Sequence, residues 1–169
     1  MKFEFKHGYD VPVEELERVL FHDDLSALLK ERMGTIIDVE PLSVSRNGDR
    51  MERRVRYLPV PMIKSVGPIK IEPEWMEWYE ESTYDFKTHS GQFKNVAARR
   101  KIAGILHNVG TLEIRPDGRG GSVEYLRGEL KVKVFMVGRI AEKVIHSNAM
   151  KILSEQARVV GDVIRDKAL

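Results

Sequence analysis

Apolar and polar residues alternate over the first nine positions of the chain. Phe3, Phe5 and Tyr9 fall on one face, with Glu4 and Lys6 on the other. A period of two residues is typical of a strand that buries one face. The chain therefore begins with a predicted β-strand.

The spacing of apolar residues becomes helical over residues 13–33. Pro12 suits the start of a helix, and the Asp23-Asp24 pair in the middle predicts the N-terminus of a second helix. Gly34 is a typical helix stop. Two short helices are therefore expected after the first strand.

Strand-like patterns return at residues 35–45 and 49–58, on either side of Asn47-Gly48. Asn-Gly favours the positive φ angles of a tight type I′ hairpin turn. Prolines then interrupt the pattern, and residues 62–73 are interpreted as a partly helical crossing loop. Four more antiparallel strands are predicted at residues 75–87, 92–98, 102–115 and 122–135.

The rest of the chain, from about residue 136 to 167, is predicted to be one long helix. Its apolar stripe is interrupted by two amides, Asn148 and Gln156. The stripe contains Ile140, Val144, Ile152, Val159, Val160 and Val163. Together, these elements predict an α+β domain over residues 1–169. In it, a curved antiparallel sheet of about seven strands wraps around the C-terminal helix.

Composition narrows the function classes. The chain has no cysteine, which removes disulfides, thiolate metal sites and cysteine nucleophiles. Its 28 basic and 26 acidic residues are interleaved, so nucleic acid is not an expected partner. The five histidines lie far apart in sequence, and we expect no metal, no cofactor and no catalytic set. No secretory signal or membrane span is visible, so a cytoplasmic location is expected.

Three segments resemble the START-like (SRPBCC) superfamily: residues 9–16, the Asn47-Gly48 hairpin, and residues 137–145. The last segment is similar to an uncharacterised bacterial branch of that superfamily. A weaker similarity to the PRELI-type phospholipid carriers lies in the Leu58-Pro59 break, the following loop and Ser147-Asn148-Ala149. The resemblance implies the helix-grip fold and a hydrophobic ligand between sheet and helix.

Polar residues on apolar faces are the candidate ligand contacts. Arg53 shares a strand face with Met51 and Val55, and Glu80 shares one with aromatic residues. If both faces turn inward, each charge must be paired or must bind a ligand group. The predicted ligand-binding residues are Arg53, Tyr57, Trp78, Glu80, Tyr84, His107, Val144, Asn148 and Ile152.

Several alternatives remain open at this point. Arg53 and Glu80 could form a purely structural pair, or a β-bulge could turn either outward. The apolar residues of the loop at 60–69 could close the cavity, touch a membrane transiently, or pack on the first helices. We expect a non-enzymatic carrier of a lipid-like molecule. The alternatives are a cyclase- or hydrolase-type enzyme using Glu80 or His107 as a base, and a protein-interaction module.

Overall fold

The computed structural model describes residues 1–61, 64–66, 68–70, 72–134 and 138–169. In chain order the elements are β1 (Lys2–Tyr9), α1 (Val13–Leu20), α2 (Leu25–Arg32), β2 (Ile36–Asn47), β3 (Arg50–Pro59), β4 (Ser65–Val66), β5 (Ile69–Lys70), a 3-10 helix (Pro73–Met76), β6 (Trp78–Asp85), β7 (Ser90–Ala97), α3 (Arg100–Ala103), β8 (Leu106–Pro116), β9 (Ser122–Val132) and α4 (Gly138–Asp166). The predicted order of one strand, two short helices, further strands and a long C-terminal helix is confirmed.

Seven strands form one antiparallel sheet in the order β1-β9-β8-β7-β6-β3-β2, while β4 and β5 form a separate small hairpin. The first strand pairs with the last over its whole length, from Lys2 opposite Glu129 to Tyr9 opposite Ser122. In β2 the register shifts twice, and such bulges bend a strand and increase its twist.

The hairpin between β2 and β3 is present, but its turn differs from the predicted one. Asn47 pairs with Arg50, so the two-residue loop is Gly48-Asp49. Only Gly48 has a positive φ, of 58°. That pattern fits a type II′ turn, which places glycine first in the loop, and not the predicted type I′.

Two predicted strands begin later than expected. The strand predicted at 75–87 begins at Trp78, because Pro73–Met76 forms a 3-10 helix with proline in its first turn. The strand predicted at 102–115 begins at Leu106, because Arg100–Ala103 forms a short helix. Within β8, Leu106, Asn108 and Leu112 face the interior.

Side chains alternate cleanly across the sheet in β3. Met51, Val55 and Tyr57 are buried on the inner face. On the outer face Arg56 donates to both Asp38 (3.0 Å) and Glu77 (2.5 Å). The sheet therefore has an apolar inner face toward α4 and an outer face with paired charges.

The C-terminal half of α4 forms the centre of the core. Val159, Val160 and Val163 are fully buried, and they belong to the same apolar cluster as Leu16 and Val19 of α1. The inward position predicted for Ile140, at the other end of the apolar stripe, is wrong. Ile140 is about half exposed because Ala141, one position on, takes the inward place at the start of the helix.

Two carboxylates fix α4 to the rest of the fold. Glu142, near its start, accepts from the backbone N–H of Val132 at the end of β9 (3.0 Å). Glu155 accepts from the backbone N–H groups of Gly34 and Thr35 (2.9 and 3.0 Å), where α2 leads into β2. These contacts hold the helix across the sheet at two points, thirteen residues apart in sequence.

Part of the crossing loop lies outside the described residues. Met62, Ile63 and Gly67 are not described, nor are the side chains of Val66 and Ile69. The predicted roles of this loop as a lid or a membrane contact therefore stay predictions. Residues 135–137, where the long helix was predicted to begin, also lie outside the described residues.

Gly128 gives a test of the packing on the inner face. A Cβ at this position would lie 2.6 Å from both Cζ of Phe3 and the carbonyl oxygen of Val109. We expect Gly128→Ala to lower the free energy of unfolding by roughly 1–3 kcal/mol, measured by urea titration. Gly161→Ala is the matched control: nothing lies within 4 Å, and alanine favours a helix by up to about 1 kcal/mol. Equal stability of the two variants would contradict the packing of Phe3 on the sheet.

Candidate ligand-binding site

A cavity of about 720 Å³ lies between the inner face of the sheet and the first two-thirds of α4. Strands β3, β6, β7, β8 and β9 form its floor, α4 its roof, and α1 and α2 one end. Small-molecule sites in proteins occupy roughly 300–1,000 Å³. The space is therefore large enough for a small organic ligand.

The walls are largely aromatic and aliphatic. The rings of Tyr57 and Trp78 stack with centroids 5.1 Å apart and planes inclined by 10°. At the α1 end, Phe21 and Tyr84 meet at 4.4 Å between centroids. The roof is supplied by side chains of α4, among them Ile145, Ala149, Ile152 and Leu153.

Seven of the nine residues predicted to bind a ligand line this cavity. They are Arg53, Tyr57, Trp78, Glu80, Tyr84, Asn148 and Ile152. Asn148 donates its amide to the carbonyl oxygen of Val144 one helical turn back (2.8 Å). Their position is a structural fact, while their contact with a ligand stays a prediction.

His107 does not line the cavity, and the inward orientation predicted for it is wrong. Its side chain is exposed on the outer face of β8, while Leu106 and Asn108 on either side line the cavity. The prediction took Ile105 as part of the strand and therefore as a marker of its inner face. Since β8 begins at Leu106, Ile105 does not set the alternation of the strand.

Val144 also lies away from the cavity wall. It packs against Ala141 in a small separate cluster with Met76, Val132 and Ile145. The helical stripe was correct in containing Val144. At this point of α4, however, the residue meets the end of β9 and the 3-10 helix, not open space.

Arg53 and Glu80 form an ion pair on the floor of the cavity. The guanidinium Nη2 lies 3.2 Å from the Glu80 carboxylate, and both side chains are about one-fifth exposed. The guanidinium also lies 5.4 Å from the ring centroid of Phe21. Its Nε is buried with no hydrogen-bond partner within the described chain.

Two asparagines lie next to the Arg53–Glu80 pair, and the four residues form a polar strip across the floor. Asn95 of β7 stands directly opposite Glu80 of β6, and Asn108 of β8 stands directly opposite Asn95. In the part of the chain that the structure describes, the buried Oδ1 atoms of both amides have no hydrogen-bond partner. A buried polar atom without a partner costs about 1–3 kcal/mol, so such atoms are usually satisfied by water or a ligand.

Glu124 of β9 is a further carboxyl group on the cavity wall, and it is buried. The Tyr9 hydroxyl donates to Oε2 at 3.0 Å. Burial raises the pKa of Glu124 to about 7; the hydrogen bond from Tyr9 acts in the opposite direction, and the charge of Glu80 adds to the rise. Near neutral pH this carboxyl can therefore both donate and accept a proton.

A second buried carboxylate lies behind the wall. Glu17 of α1 accepts from the hydroxyl of Tyr84 (2.7 Å) and lies 2.9 Å from Nδ1 of His89. Burial raises the pKa of Tyr84 above its usual range, and the hydrogen bond to Glu17 adds to that rise. Tyr84 is therefore held as a neutral hydroxyl whose ring faces the cavity.

The sequence analysis missed Glu124, Asn95 and Asn108. Glu124 shares its alternating face with Leu126 and Leu130, and this signal was available. Asn95 likewise alternates with Ala97 of the same strand. Asn108 could not be found by the same reasoning once the inner face of β8 had been assigned one residue out of phase.

The described residues contain no group of three or more His, Asp or Glu side chains able to hold a metal ion. Among them, no helix is both long enough and apolar enough to cross a bilayer. The ionisable and polar side chains that line the cavity carry carboxyl, amide, guanidinium, ammonium, imidazole and hydroxyl groups.

No protein-family model matches the chain, and no curated protein matches it in sequence. Solved structures do match. The protein TTHA0849 from Thermus thermophilus superimposes with a TM-score of 0.69 at 18% identity, over 100% of both chains. The Zhui aromatase/cyclase from Streptomyces sp. R1128 gives 0.63 at 12% identity, over 100% of this chain and 96% of its own. The protein has the helix-grip fold.

Another helix-grip relative is an enzyme solved with its ligands. Norcoclaurine synthase from Thalictrum flavum, in complex with dopamine and hydroxybenzaldehyde, superimposes with a TM-score of 0.67 at 12% identity, over 98% of this chain and 87% of its own. At such identities the similarity establishes the fold and neither the ligand nor a reaction. The helix-grip fold expected from the START-like resemblance is confirmed.

The raised pKa of Glu124 predicts how stability depends on pH. The unfolded carboxyl loses its proton near its ordinary pKa of 4.5, whereas the folded one keeps it until about 7. The free energy of unfolding should therefore fall as pH rises through this interval, by on the order of 3 kcal/mol, and level off above it.

Glu124→Gln should remove most of this slope, because the amide stays neutral and can still accept from Tyr9. Urea unfolding at about pH 5 and about pH 8 measures the effect. The variant should be more stable than the wild type at the higher pH. If both proteins show the same dependence on pH, Glu124 is not the buried neutral carboxyl described above.

Proposed function

We propose that residues 1–169 form a single START-like domain that binds a hydrophobic or amphipathic, lipid-like small molecule between the sheet and α4. The observation that carries this proposal is the cavity of about 720 Å³, whose walls are largely apolar and whose floor carries a strip of polar side chains. Apolar walls facing water are unfavourable by about 25 cal/mol for each Å². An apolar ligand that covers them gains that free energy.

The Arg53–Glu80 ion pair on the floor affects which charge the head group of this ligand can carry. A free Arg53 would favour an acidic head group, but Arg53 is already paired with Glu80. An anion at Arg53 would therefore lie close to the Glu80 carboxylate, which repels it. This argues for a ligand whose polar end is not strongly acidic.

Two expectations about where the protein acts are also part of the proposal. Transient contact of the loop at 60–69 with a membrane would explain its apolar residues, although part of that loop lies outside the described residues. A cytoplasmic location is the second of these expectations. A protein-interaction module is disfavoured, because an open interior adds nothing to docking on an outer surface.

Binding of a neutral fluorescent probe, N-phenyl-1-naphthylamine, tests the proposed function. The probe should gain fluorescence on binding and saturate at one molecule per chain, because apolar surroundings exclude water from its rings. Ala149→Trp should abolish that gain, since the indole would fill the roof of the cavity.

Ser147→Trp is the matched control, because Ser147 is exposed on the same helix and should bind the probe as the wild type does. Thermal unfolding of both variants checks that they fold. Saturable binding that survives Ala149→Trp, or no binding by the wild type, would contradict a ligand cavity at this place.

A second candidate function is acid–base catalysis on a carbonyl compound. The observation that favours it is Glu124, whose pKa of about 7 suits proton transfer near neutral pH and which lines the cavity. Glu80 would be the second carboxyl group of such an enzyme. His107, the other candidate base, is excluded from this role because its side chain lies on the outer face of the sheet.

Hydrogen exchange of a ketone tests this candidate. In D2O, 2-tetralone exchanges a proton next to its carbonyl group whenever a base removes it and a deuteron returns, which proton NMR follows as loss of signal. The wild type should accelerate exchange and Glu124→Gln should not. Glu81→Gln, on the outer face of the same sheet, is the control. Equal rates for wild type and Glu124→Gln would contradict a catalytic role for this carboxyl.

A further inference from the structure

The polar strip on the cavity floor contains more hydrogen-bonding capacity than the protein itself uses. Glu80, Asn95 and Asn108 stand side by side on three neighbouring strands. Residues directly opposite in antiparallel strands have Cβ atoms about 4.5–5.5 Å apart. One small group of a ligand can therefore reach both amides at once.

The atoms without hydrogen-bond partners determine which donors and acceptors the ligand group needs. The Oδ1 atoms of Asn95 and Asn108 need hydrogen-bond donors, and Nε of Arg53 needs an acceptor. A hydroxyl group can donate its one hydrogen bond to Oδ1 of one asparagine and accept a hydrogen bond from the side-chain N–H group of the other. A carboxylate only accepts, so it would leave the amide oxygens unsatisfied.

The charges around the strip also select against an anion. Glu80 is the direct neighbour of Asn95, and Glu124 lines the same cavity. Arg53 on the floor is already paired with Glu80, while the other basic lining residues, Arg99 and Lys101, lie beyond the end of β7 and in α3. A negative charge placed at the two amides would therefore lie beside the Glu80 carboxylate, whose own partner Arg53 is already paired.

We propose that Asn95 and Asn108 form the subsite that binds an uncharged hydroxyl group of the ligand. The inference rests on the proposed function and makes it more specific: the ligand is an alcohol or phenol with an apolar body, not a fatty acid or another anion. In the empty protein a water molecule would occupy the same position, and the hydroxyl group would replace it.

Three probes with the same ring system test the subsite: naphthalene, 2-naphthol and 2-naphthoate, each measured by displacement of N-phenyl-1-naphthylamine. The wild type should bind 2-naphthol about fivefold to tenfold more tightly than naphthalene, the gain expected of one or two hydrogen bonds. 2-Naphthoate should bind more weakly than either of the other two.

Asn95→Leu, Asn108→Leu and the double variant should lose the preference for 2-naphthol while binding naphthalene at least as tightly, because leucine keeps a similar volume. Naphthalene binding thereby reports that these variants still fold. Asn47→Leu is the matched control: it removes an exposed amide of β2 that lies outside the cavity, so the preference should persist.

The outcomes separate this inference from the proposed function. Equal binding of naphthalene and 2-naphthol, or a preference that survives the double variant, would overturn the hydroxyl subsite while leaving the ligand cavity intact. Tightest binding of 2-naphthoate would overturn it in favour of an anionic ligand. Failure of the wild type to bind any probe would overturn both.

Discussion

The structure depends on how α4 is held across the inner face of the sheet. Its C-terminal end packs in one apolar cluster with α1, and Val159, Val160 and Val163 are fully buried there. Its first two-thirds are fixed at Glu142 and Glu155 instead, through hydrogen bonds to backbone N–H groups of β9 and of the turn before β2. A helix fixed in this way cannot settle further onto the sheet, and a cavity remains where protein interiors are normally close-packed.

The polar groups of the cavity follow from that constraint. In a filled core, Arg53, Asn95, Asn108 and Glu124 would each need a partner among neighbouring side chains. Here the pairs Arg53–Glu80 and Tyr9–Glu124 satisfy only part of the capacity, and the remainder points to a site that is completed by something bound. Binding and acid–base chemistry are therefore two uses of one arrangement, and they differ in whether Glu124 exchanges a proton with the occupant.

Most of the fold follows from local patterns in the sequence. The alternation in β1 and β3, the helical spacing of residues 13–33 and the long C-terminal stripe each have one dominant period, and the structure agrees with them. The same alternation placed Arg53 and Glu80 on the inner face. Local patterns failed in β8: apolar Ile105 and Val109 predicted the face of His107 as the inner one, but Ile105 precedes the strand and Asn108 lies on the inner face.

Other features of the site depend on contacts between distant elements. The ends of α4 differ because α1 and α2 cover only one of them, so Val160 is buried and Ile140 is exposed. Glu124 acquires its raised pKa from burial beneath α4 and from Glu80 on another strand. Such effects require the three-dimensional arrangement, and no spacing along one strand encodes them.

The most direct test of the account is an NMR titration of the ¹⁵N-labelled protein with 2-naphthol, followed through backbone and asparagine side-chain amide signals. The account predicts saturable shifts confined to the inner face of β6 to β9 and the first two-thirds of α4, with the side-chain amides of Asn95 and Asn108 among the largest. Shifts restricted to the outer face of the sheet, or none at saturating probe, would contradict a ligand site between sheet and helix.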